Sequence, residues 1–301
     1  MILVAGGSGF VGSAIVRRLR RDGADVAVMT AHPDRSRARI RAMGASVVEG
    51  SVTDAASLAR AVQGAQVVVQ ALTFPSFPVE KGSRGWTFEA FDHRGTERLA
   101  QAAAAAGADL YLYSSGVGAA ADSPKPWYRA KWFGERAIED AGIAHTIVRP
   151  SWAYGPEDRA LNRFVPFARW SPAMPVVGDG GQRLQPVFVD DVAEAFAQAA
   201  RADGPRGVFE IGGPDVMSMN EVLRTLLEVV GKPKPLVHVP ASLPKVAGAL
   251  ARYLPKPPLS PDAVDFLTAD AVADTGPLLS SFDLTLTPLR EGLRRYLSPP
   301  G

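Results

Sequence analysis

A glycine-rich turn placed directly after a short apolar run restricts the possible folds of this chain more than any other feature. Residues 2–5 (Ile-Leu-Val-Ala) predict a buried strand, and the sequence Gly-Gly-Ser-Gly-Phe-Val-Gly follows at once over residues 6–12. An amphipathic helix is predicted over residues 11–22. Glycines three residues apart permit a tight turn, a close backbone approach to another group, and close packing of helix on strand. The chain therefore begins as a strand–turn–helix unit.

The same unit recurs through the first half of the sequence. Short β-branched runs alternate with helical stretches, which is typical of a parallel sheet with right-handed crossovers. Glycine follows several of the helices, where it ends them. The fold class predicted is α/β, with a doubly wound parallel sheet. Strands are predicted at 2–5, 25–30, 46–49, 66–71, 109–114 and 143–148, with helices near 11–22, 34–43, 54–63, 86–106 and 127–141.

After Pro150 the pattern changes, because prolines become frequent and the regular alternation stops. A buried strand is still predicted at 208–211 and a helix at 219–230. We therefore expect a nucleotide-binding domain over 1–150, with a sheet completed by 187–212. The remainder, 151–301, is predicted to be a smaller, interleaved α/β subdomain that serves as substrate or lid subdomain.

Composition excludes several classes of function. A net charge of +2 gives no reason to expect a nucleic-acid partner. The absence of cysteine excludes disulfides and thiolate chemistry, and the four widely spaced histidines predict no metal site. No apolar run reaches the length of a spanning helix, and Met1 runs directly into the first strand without a basic leader. The expectation is a cytoplasmic protein without a transmembrane segment.

The glycine turn is a candidate site for a dinucleotide, since N–H groups at a helix start bind phosphate oxygens. The alternatives are a purely structural turn or another phosphate ligand. NAD-specific sites place a carboxylate after the second strand to bind the ribose. This chain has Thr30 and His32 there, followed by Arg35 and Arg37, which either meet a 2′-phosphate or belong to a solvated helix face. NADP(H) is therefore favoured, with NAD(H) possible.

Ligands of a doubly wound sheet lie outside the carboxyl ends of its strands. This rule extends the predicted cofactor site beyond the glycine turn to residues that follow later strands. This set comprises Gly6, Gly7, Ser8, Gly9, Phe10, Val11, Gly12, Thr30, His32, Arg35, Arg37, Ser51, Val52, Ala71, Leu72 and Pro150.

Several motifs in order resemble the short-chain dehydrogenase/reductase superfamily, in its atypical and extended branches. They are the glycine turn, the serine after strand five, and the segments RAKWFGE (129–135), RPSWAYGP (149–156), PVFVDDVAEAF (186–196) and FEIGGPDVMSMNEV (209–222). The resemblance is greatest to bacterial relatives of the nucleotide-binding accessory subunit of respiratory complex I. It implies a Rossmann fold and a possible homodimer.

The resemblance also implies roles for individual residues. Ser115 matches the catalytic serine, and Lys131 matches the lysine that holds the nicotinamide ribose and lowers the pKa of a tyrosine. That tyrosine falls on Trp127, whose indole N–H only donates. Tyr128 is turned about 100° from position 127 on a helix. Ser51 stands where the family often has an aspartate near the adenine.

Four functional alternatives remain open at this point. In the first, Tyr128 replaces the missing tyrosine through distortion of the helix start. In the second, Tyr154, Ser115, water or a substrate group relays the proton. In the third, the protein binds NAD(P)(H) without redox chemistry, as a sensor or an assembly subunit. An epimerase or dehydratase is the fourth. Our prediction is an oxidoreductase acting on an apolar carbonyl or quinone-like small molecule.

The predicted substrate pocket is aromatic, and apolar ligands suit such pockets. Its candidate residues are Phe74, Trp127, Trp152 and Tyr154, although ordinary core packing explains most aromatic residues of this region equally well. The loop 73–85 is predicted to be a lid. The segment 243–254 is predicted to be a short amphipathic helix that packs on the protein or touches a membrane surface.

Overall fold

The computed structural model describes residues 1–240, 242 and 269–297. The predicted helix 243–254 lies outside the described residues. The chain forms two compact units. The first unit comprises Met1–Pro150, Val189–Ile211 and Ala273–Thr285, and the second comprises the described residues of Ser151–Phe188, Gly212–Val272 and Leu286–Gly301.

The elements follow one another along the chain much as the sequence predicts. The strands are β1 (Ile2–Ala5), β2 (Val26–Thr30), β3 (Ser46–Glu49), β4 (Val67–Gln70), β5 (Leu110–Ser114), β6 (His145–Pro150), β7 (Trp152–Tyr154), β8 (Met174–Val177), β9 (Arg183–Leu184), β10 (Pro186–Phe188), β11 (Gly207–Ile211), β12 (Met217–Ser218) and β13 (Leu236–Val239). The helices are α1 (Phe10–Arg21), α2 (Pro33–Ala42), α3 (Ala55–Ala61), α4 (Arg94–Ala105), α5 (Pro126–Asp140), α6 (Val165–Trp170), α7 (Val189–Ala199), α8 (Met219–Val230), α9 (Gly276–Ser281) and α10 (Leu289–Leu297).

A parallel sheet forms the centre of the first unit. Its seven strands run in the order β11-β6-β5-β4-β1-β2-β3, and every neighbouring pair is parallel. The strand order reverses between β1 and β4, which is the position where doubly wound sheets bind ligands. The predicted fold class is therefore confirmed. Strand β11 supplies the seventh position, whereas β10 pairs with β7 in the second unit.

The predicted helix 86–106 begins differently from the expectation. Residues Glu89–His93 form a π-helical turn, and regular α-helix starts only at Arg94. The carbonyl of Asp92 accepts a hydrogen bond from the Thr96 hydroxyl at 2.8 Å. A π-turn inserts an extra residue and changes the direction of the side chains around it. Periodicity could not predict this, because it assumes an unbroken helix.

Small strand pairs and the helices α6, α8 and α10 form the second unit. Helix α8 starts with a capping box, in which Ser218 and Glu221 each bind the backbone N–H of the other. Its apolar face packs in the core of this unit. Among the described residues, none of the helices combines the length and the apolar character that a membrane-spanning segment requires.

Candidate functional site

The glycine turn is built so closely that side chains are excluded from it. Gly6 has a φ of +85°, a left-handed conformation that favours glycine. A Cβ atom on Gly12 would lie 2.2 Å from the Gly6 carbonyl oxygen. Helix α1 then begins without a side-chain cap at Gly9. The N–H groups of its first turn are therefore available to an anion, and this part of the chain fits the diphosphate of a dinucleotide.

Neighbouring strand ends adjoin this turn. A Cβ on Gly6 would lie 2.4 Å from the carbonyl oxygen of Ala71, which precedes Leu72 at the end of β4. Val52 is buried beside Gly95, and Ser51 shares a 2.8 Å hydrogen bond with Thr53. At the end of β6, the carbonyl of Pro150 accepts from the N–H of Val117 at 3.1 Å. All of these residues lie at the carboxyl edge of the sheet.

Cationic side chains dominate the segment after β2. The backbone N–H of His32 donates to the Thr30 hydroxyl at 3.2 Å, and Arg35 and Arg37 are exposed. The nearest carboxylate in the sequence, Asp34, is 99% exposed and lies 3.9 Å from Arg37.

Arg39, which the sequence analysis missed, donates to the Ser13 hydroxyl at 3.5 Å and so reaches the first unit's helix α1. Its spacing of four residues from Arg35 places both on one face of α2, and this spacing was the available signal.

Lys131 lies in a buried ion pair. Its Nζ is 3.0 Å from Oδ1 of Asp92 and donates to the Ser114 carbonyl at 3.1 Å. Burial lowers the pKa of Lys131, but the neighbouring Tyr113 and Asp92 outweigh this effect and raise it overall. The lysine is therefore charged at neutral pH. Asp92 was not predicted, because the π-turn that aims it at Lys131 leaves no trace in the periodicity.

The Asp92 carboxylate is itself almost fully buried. Burial raises its pKa, and the charge of Lys131 opposes that rise. Within the described part of the chain, its second oxygen, Oδ2, has no hydrogen-bond partner. Next to this pair, burial raises the pKa of Tyr113 to about 12, so that phenol stays neutral.

Ser115 belongs to a second buried network. Its hydroxyl donates to Glu135, which is fully buried and receives the Arg149 guanidinium at 2.9 Å. Arg149 also lies 3.7 Å from Glu210 on β11. These bonds account for the orientation of Ser115, and its catalytic role stays a prediction.

Tyr128 lies beside Lys131 along the loop that follows β5. A Cβ on Gly116 would lie 3.6 Å from Cδ of Lys131 and 4.0 Å from Cε1 of Tyr128. At Gly118, a Cβ would lie 3.2 Å from Cε2 of the same ring. Burial raises the pKa of Tyr128, and its interaction with Trp127 offsets part of the rise. Tyr128 and Lys131 are three residues apart on the regular helix α5, and both therefore lie against the loop that follows β5.

Trp127 extends an aromatic cluster. Its ring lies 6.0 Å from that of Phe88, which lies 5.0 Å from Phe74. Phe77, from the predicted lid loop, also packs on Phe74 at 5.9 Å. Both pocket candidates of the first unit, Phe74 and Trp127, are buried in this cluster.

The other two pocket candidates, Trp152 and Tyr154, are buried in the core of the second unit. The Tyr154 hydroxyl donates to the Pro288 carbonyl at 3.4 Å, and a Cβ on Gly292 would lie 2.1 Å from its oxygen. Contacts within this unit account for the burial of Tyr154. Its predicted roles in a pocket and in proton relay stay predictions.

No group of three acidic, histidine or cysteine side chains in residues 1–240 and 269–297 is arranged to hold a metal ion.

Known proteins resemble the chain along nearly its full length. One relative is the mitochondrial NADH dehydrogenase [ubiquinone] 1 alpha subcomplex subunit 9 of Arabidopsis thaliana. It is 30% identical to this chain over 95% of this chain and 73% of the relative's length. The ceramide reductase of Caulobacter vibrioides is 28% identical over 83% of this chain and 77% of the reductase's length.

Solved structures share the fold at lower identity. UDP-glucose 4-epimerase of Thermotoga maritima, with UDP-glucose, has a TM-score of 0.76 at 22% identity, and the match covers 98% of this chain and 97% of that chain. An NADPH-dependent quinone oxidoreductase of Escherichia coli, with NADPH, has a TM-score of 0.73 at 21% identity, and the match covers 98% of this chain and 99% of that chain. The NAD dependent epimerase/dehydratase family matches residues 2–212. The chain therefore belongs to that family, the extended branch of the short-chain dehydrogenases/reductases, as its motifs predict.

Proposed function

We propose that this protein binds NADP(H) and reduces an apolar carbonyl or quinone-like small molecule, with Tyr128 as proton donor. The observation that carries the proposal is the placement of Tyr128 and Lys131 against the same residue, Gly116. A phenol and an ammonium group at one loop supply a proton donor and a fixed positive charge.

The residues of the first unit support the choice of coenzyme. The first turn of α1 would bind the diphosphate, and Lys131 would hold the nicotinamide ribose. After β2, the exposed Arg35 and the nearby Arg39 offer positive charge where a 2′-phosphate would lie. The bound coenzyme would supply a hydride, which the protein's own side chains cannot provide.

The protonation state of Tyr128 suits the reducing direction of the reaction. Its pKa is raised by burial, so the phenol keeps its proton at neutral pH. A protonated phenol can donate to the oxygen of a carbonyl that is being reduced. The choice of an apolar substrate over a sugar rests on the predicted aromatic pocket, whose candidates Phe74 and Trp127 pack in one cluster with Phe88.

The test is NADPH oxidation with a panel of quinones, aldehydes and ketones. Tyr128→Phe is expected to lower kcat about a hundredfold or more, the usual contribution of a general acid, with NADPH affinity unchanged. Tyr296→Phe, which changes a half-buried tyrosine of the second unit, is the matched control and should keep full activity. Unchanged turnover in Tyr128→Phe would remove the proposed proton donor.

A second candidate is a catalytically silent NADP(H)-binding sensor or assembly subunit. It is favoured by the engagement of Ser115 with Glu135 and of Lys131 with Asp92. Such a protein would bind NADPH, show no turnover across the whole panel, and change its oligomeric state or its partner on binding. An epimerase or dehydratase would instead convert a nucleotide sugar without net consumption of coenzyme.

The same proposal includes a cytoplasmic location, which is the expectation from the sequence, and a homodimer, which the sequence resemblance implies. Light scattering during gel filtration measures the oligomeric state, and fractionation of cells measures the location.

A further inference from the structure

Two large aromatic side chains of the second unit stand out from the surface. Trp170, the last residue of α6, is 82% exposed, and Phe167 is 40% exposed. Their spacing of three residues places them on one face of the helix, and the exposed Arg163 lies in the 3-10 turn, Leu161–Phe164, that precedes it. Exposed aromatics of this size, grouped rather than scattered, indicate an interaction surface.

Buried residues in α6 and just before it explain why this segment packs on the second unit. Leu161 and Phe164 in the preceding 3-10 turn and Ala168 in α6 are buried and belong to the core of that unit. Packing therefore requires these three residues, but it does not require Phe167 or Trp170. The exposed aromatics need another explanation.

Two lysines join the aromatics at the end of α6. The Nζ of Lys232 lies 5.4 Å from the centre of the Trp170 ring and donates to the Arg169 carbonyl at 3.1 Å. The Nζ of Lys234 donates to the Phe167 carbonyl at 3.1 Å. Their hydrocarbon stems can lie along apolar surface while their charged ends remain solvated.

The sequence segments that carry these residues are basic. Segments 160–178 and 229–242 contain four lysines and arginines and no aspartate or glutamate, and the nearest acidic residues in the sequence are Asp158, Asp179 and Glu228. We call this surface the aromatic–basic patch. It consists of Arg163, Phe167, Arg169, Trp170, Lys232 and Lys234.

We propose that the aromatic–basic patch docks on the surface of an anionic lipid bilayer. Tryptophan favours the boundary between head groups and acyl chains, and lysine and arginine are attracted to anionic head groups. The patch carries both kinds of side chain side by side, which is complementary to a surface of phosphate groups over acyl chains. With two aromatics and four cations, docking is peripheral, reversible and weakened by salt.

The experiment is co-sedimentation of the full chain with vesicles of phosphatidylcholine, with or without phosphatidylglycerol. Binding is expected only with phosphatidylglycerol, and concentrated NaCl should release it. Trp170→Ser should lower the partition coefficient about tenfold or more, because a large buried apolar side chain is lost. Arg169→Ser should lower it about fivefold, the contribution of one cation near an anionic surface, without removing a helix-capping lysine.

Matched controls separate the patch from general effects. Trp86 also has cations beside its ring, Lys81 at 5.9 Å and Arg84 at 5.1 Å, but it lies in the first unit. Trp86→Ser and the exposed Arg224→Ser of the second unit should bind vesicles like the unaltered protein.

Three results would overturn the proposal: no binding to either vesicle, equal binding to neutral vesicles, or equal losses in the control variants. Light scattering provides a further check. A dimer that dissociates on Trp170→Ser would show that a second copy of the chain covers the patch instead. Because these assays need no coenzyme, their failure would leave the proposed reductase function untouched.

Discussion

The buried ion pair between Lys131 and Asp92 gives the sharpest mutational prediction. The two charges are 3.0 Å apart, and their side chains are only 13% and 2% exposed. At that separation, the attraction is about 5–6 kcal/mol for an effective dielectric constant near 20. Removing one partner leaves the other charge buried without a counter-charge, which lowers the free energy of unfolding by about 3–5 kcal/mol. Asp92→Asn is therefore expected to lower the free energy of unfolding by about 3–5 kcal/mol in urea denaturation at pH 7.

Lys131→Met should behave differently as the pH falls. The pKa of Asp92 is raised in the folded state, so the folded protein takes up this proton before the unfolded chain does. Protonation removes the stranded negative charge, and folded Lys131→Met is therefore stabilised as the pH falls towards 5. Asp92→Asn removes this titrating carboxylate, so its cost has no such contribution from Asp92. The loss in free energy of unfolding caused by Lys131→Met should therefore become smaller between pH 7 and pH 5, relative to the loss caused by Asp92→Asn.

A double-mutant cycle measures the pair directly. Asp92→Asn combined with Lys131→Met should cost less than the sum of the single changes, by about 2–3 kcal/mol, since neither charge is then stranded. The exposed pair Arg295 and Glu291 is the control, with an expected coupling of about 0–1 kcal/mol. Additive costs for Lys131 and Asp92 would refute the assignment of a buried ion pair.

Three further predictions concern the coenzyme and the proton donor. Gly12→Ala should abolish coenzyme binding, because its Cβ would lie 2.2 Å from the Gly6 carbonyl oxygen; retained heat on titration with NADPH would contradict this. Arg39→Ala should weaken NADPH binding about tenfold or more and NADH binding little, as expected for a lost charged contact to a phosphate; equal losses would exclude a role at the 2′-phosphate. Since the pKa of Tyr128 is raised above 10.0, the rate of carbonyl reduction should stay level from neutral pH to about pH 9 and fall only above that; a fall beginning near pH 7 would point to another donor.

The sheet could be predicted from the sequence because its signals are local. Buried parallel strands are continuous apolar runs, and a left-handed glycine ends several of the helices between them. Gly23, Gly44, Gly64, Gly107 and Gly142 all have positive φ angles. The glycine turn could also be predicted from the sequence, because several of its positions have room only for glycine.

The site could be predicted only in part, because its remaining contacts are not local. Asp92 reaches Lys131 from a different helix, through a π-turn that no periodic pattern reveals. The direction of the Ser115 hydroxyl depends on Glu135, whose burial the sequence does not show. The expected separation of positions 127 and 128 was correct as helix geometry. The sequence did not predict that the loop containing Gly116 and Gly118 lies against Tyr128.

The most direct test of the central claim is calorimetric titration of the purified protein with NADPH and with NADH. The account predicts saturable binding of both at the glycine turn, with NADPH bound about tenfold more tightly because the arginines after β2 outnumber the one carboxylate there, the exposed Asp34. Gly12→Ala should remove both signals. Absence of heat and of thermal stabilisation with either coenzyme would contradict the claim that this turn binds a nicotinamide dinucleotide.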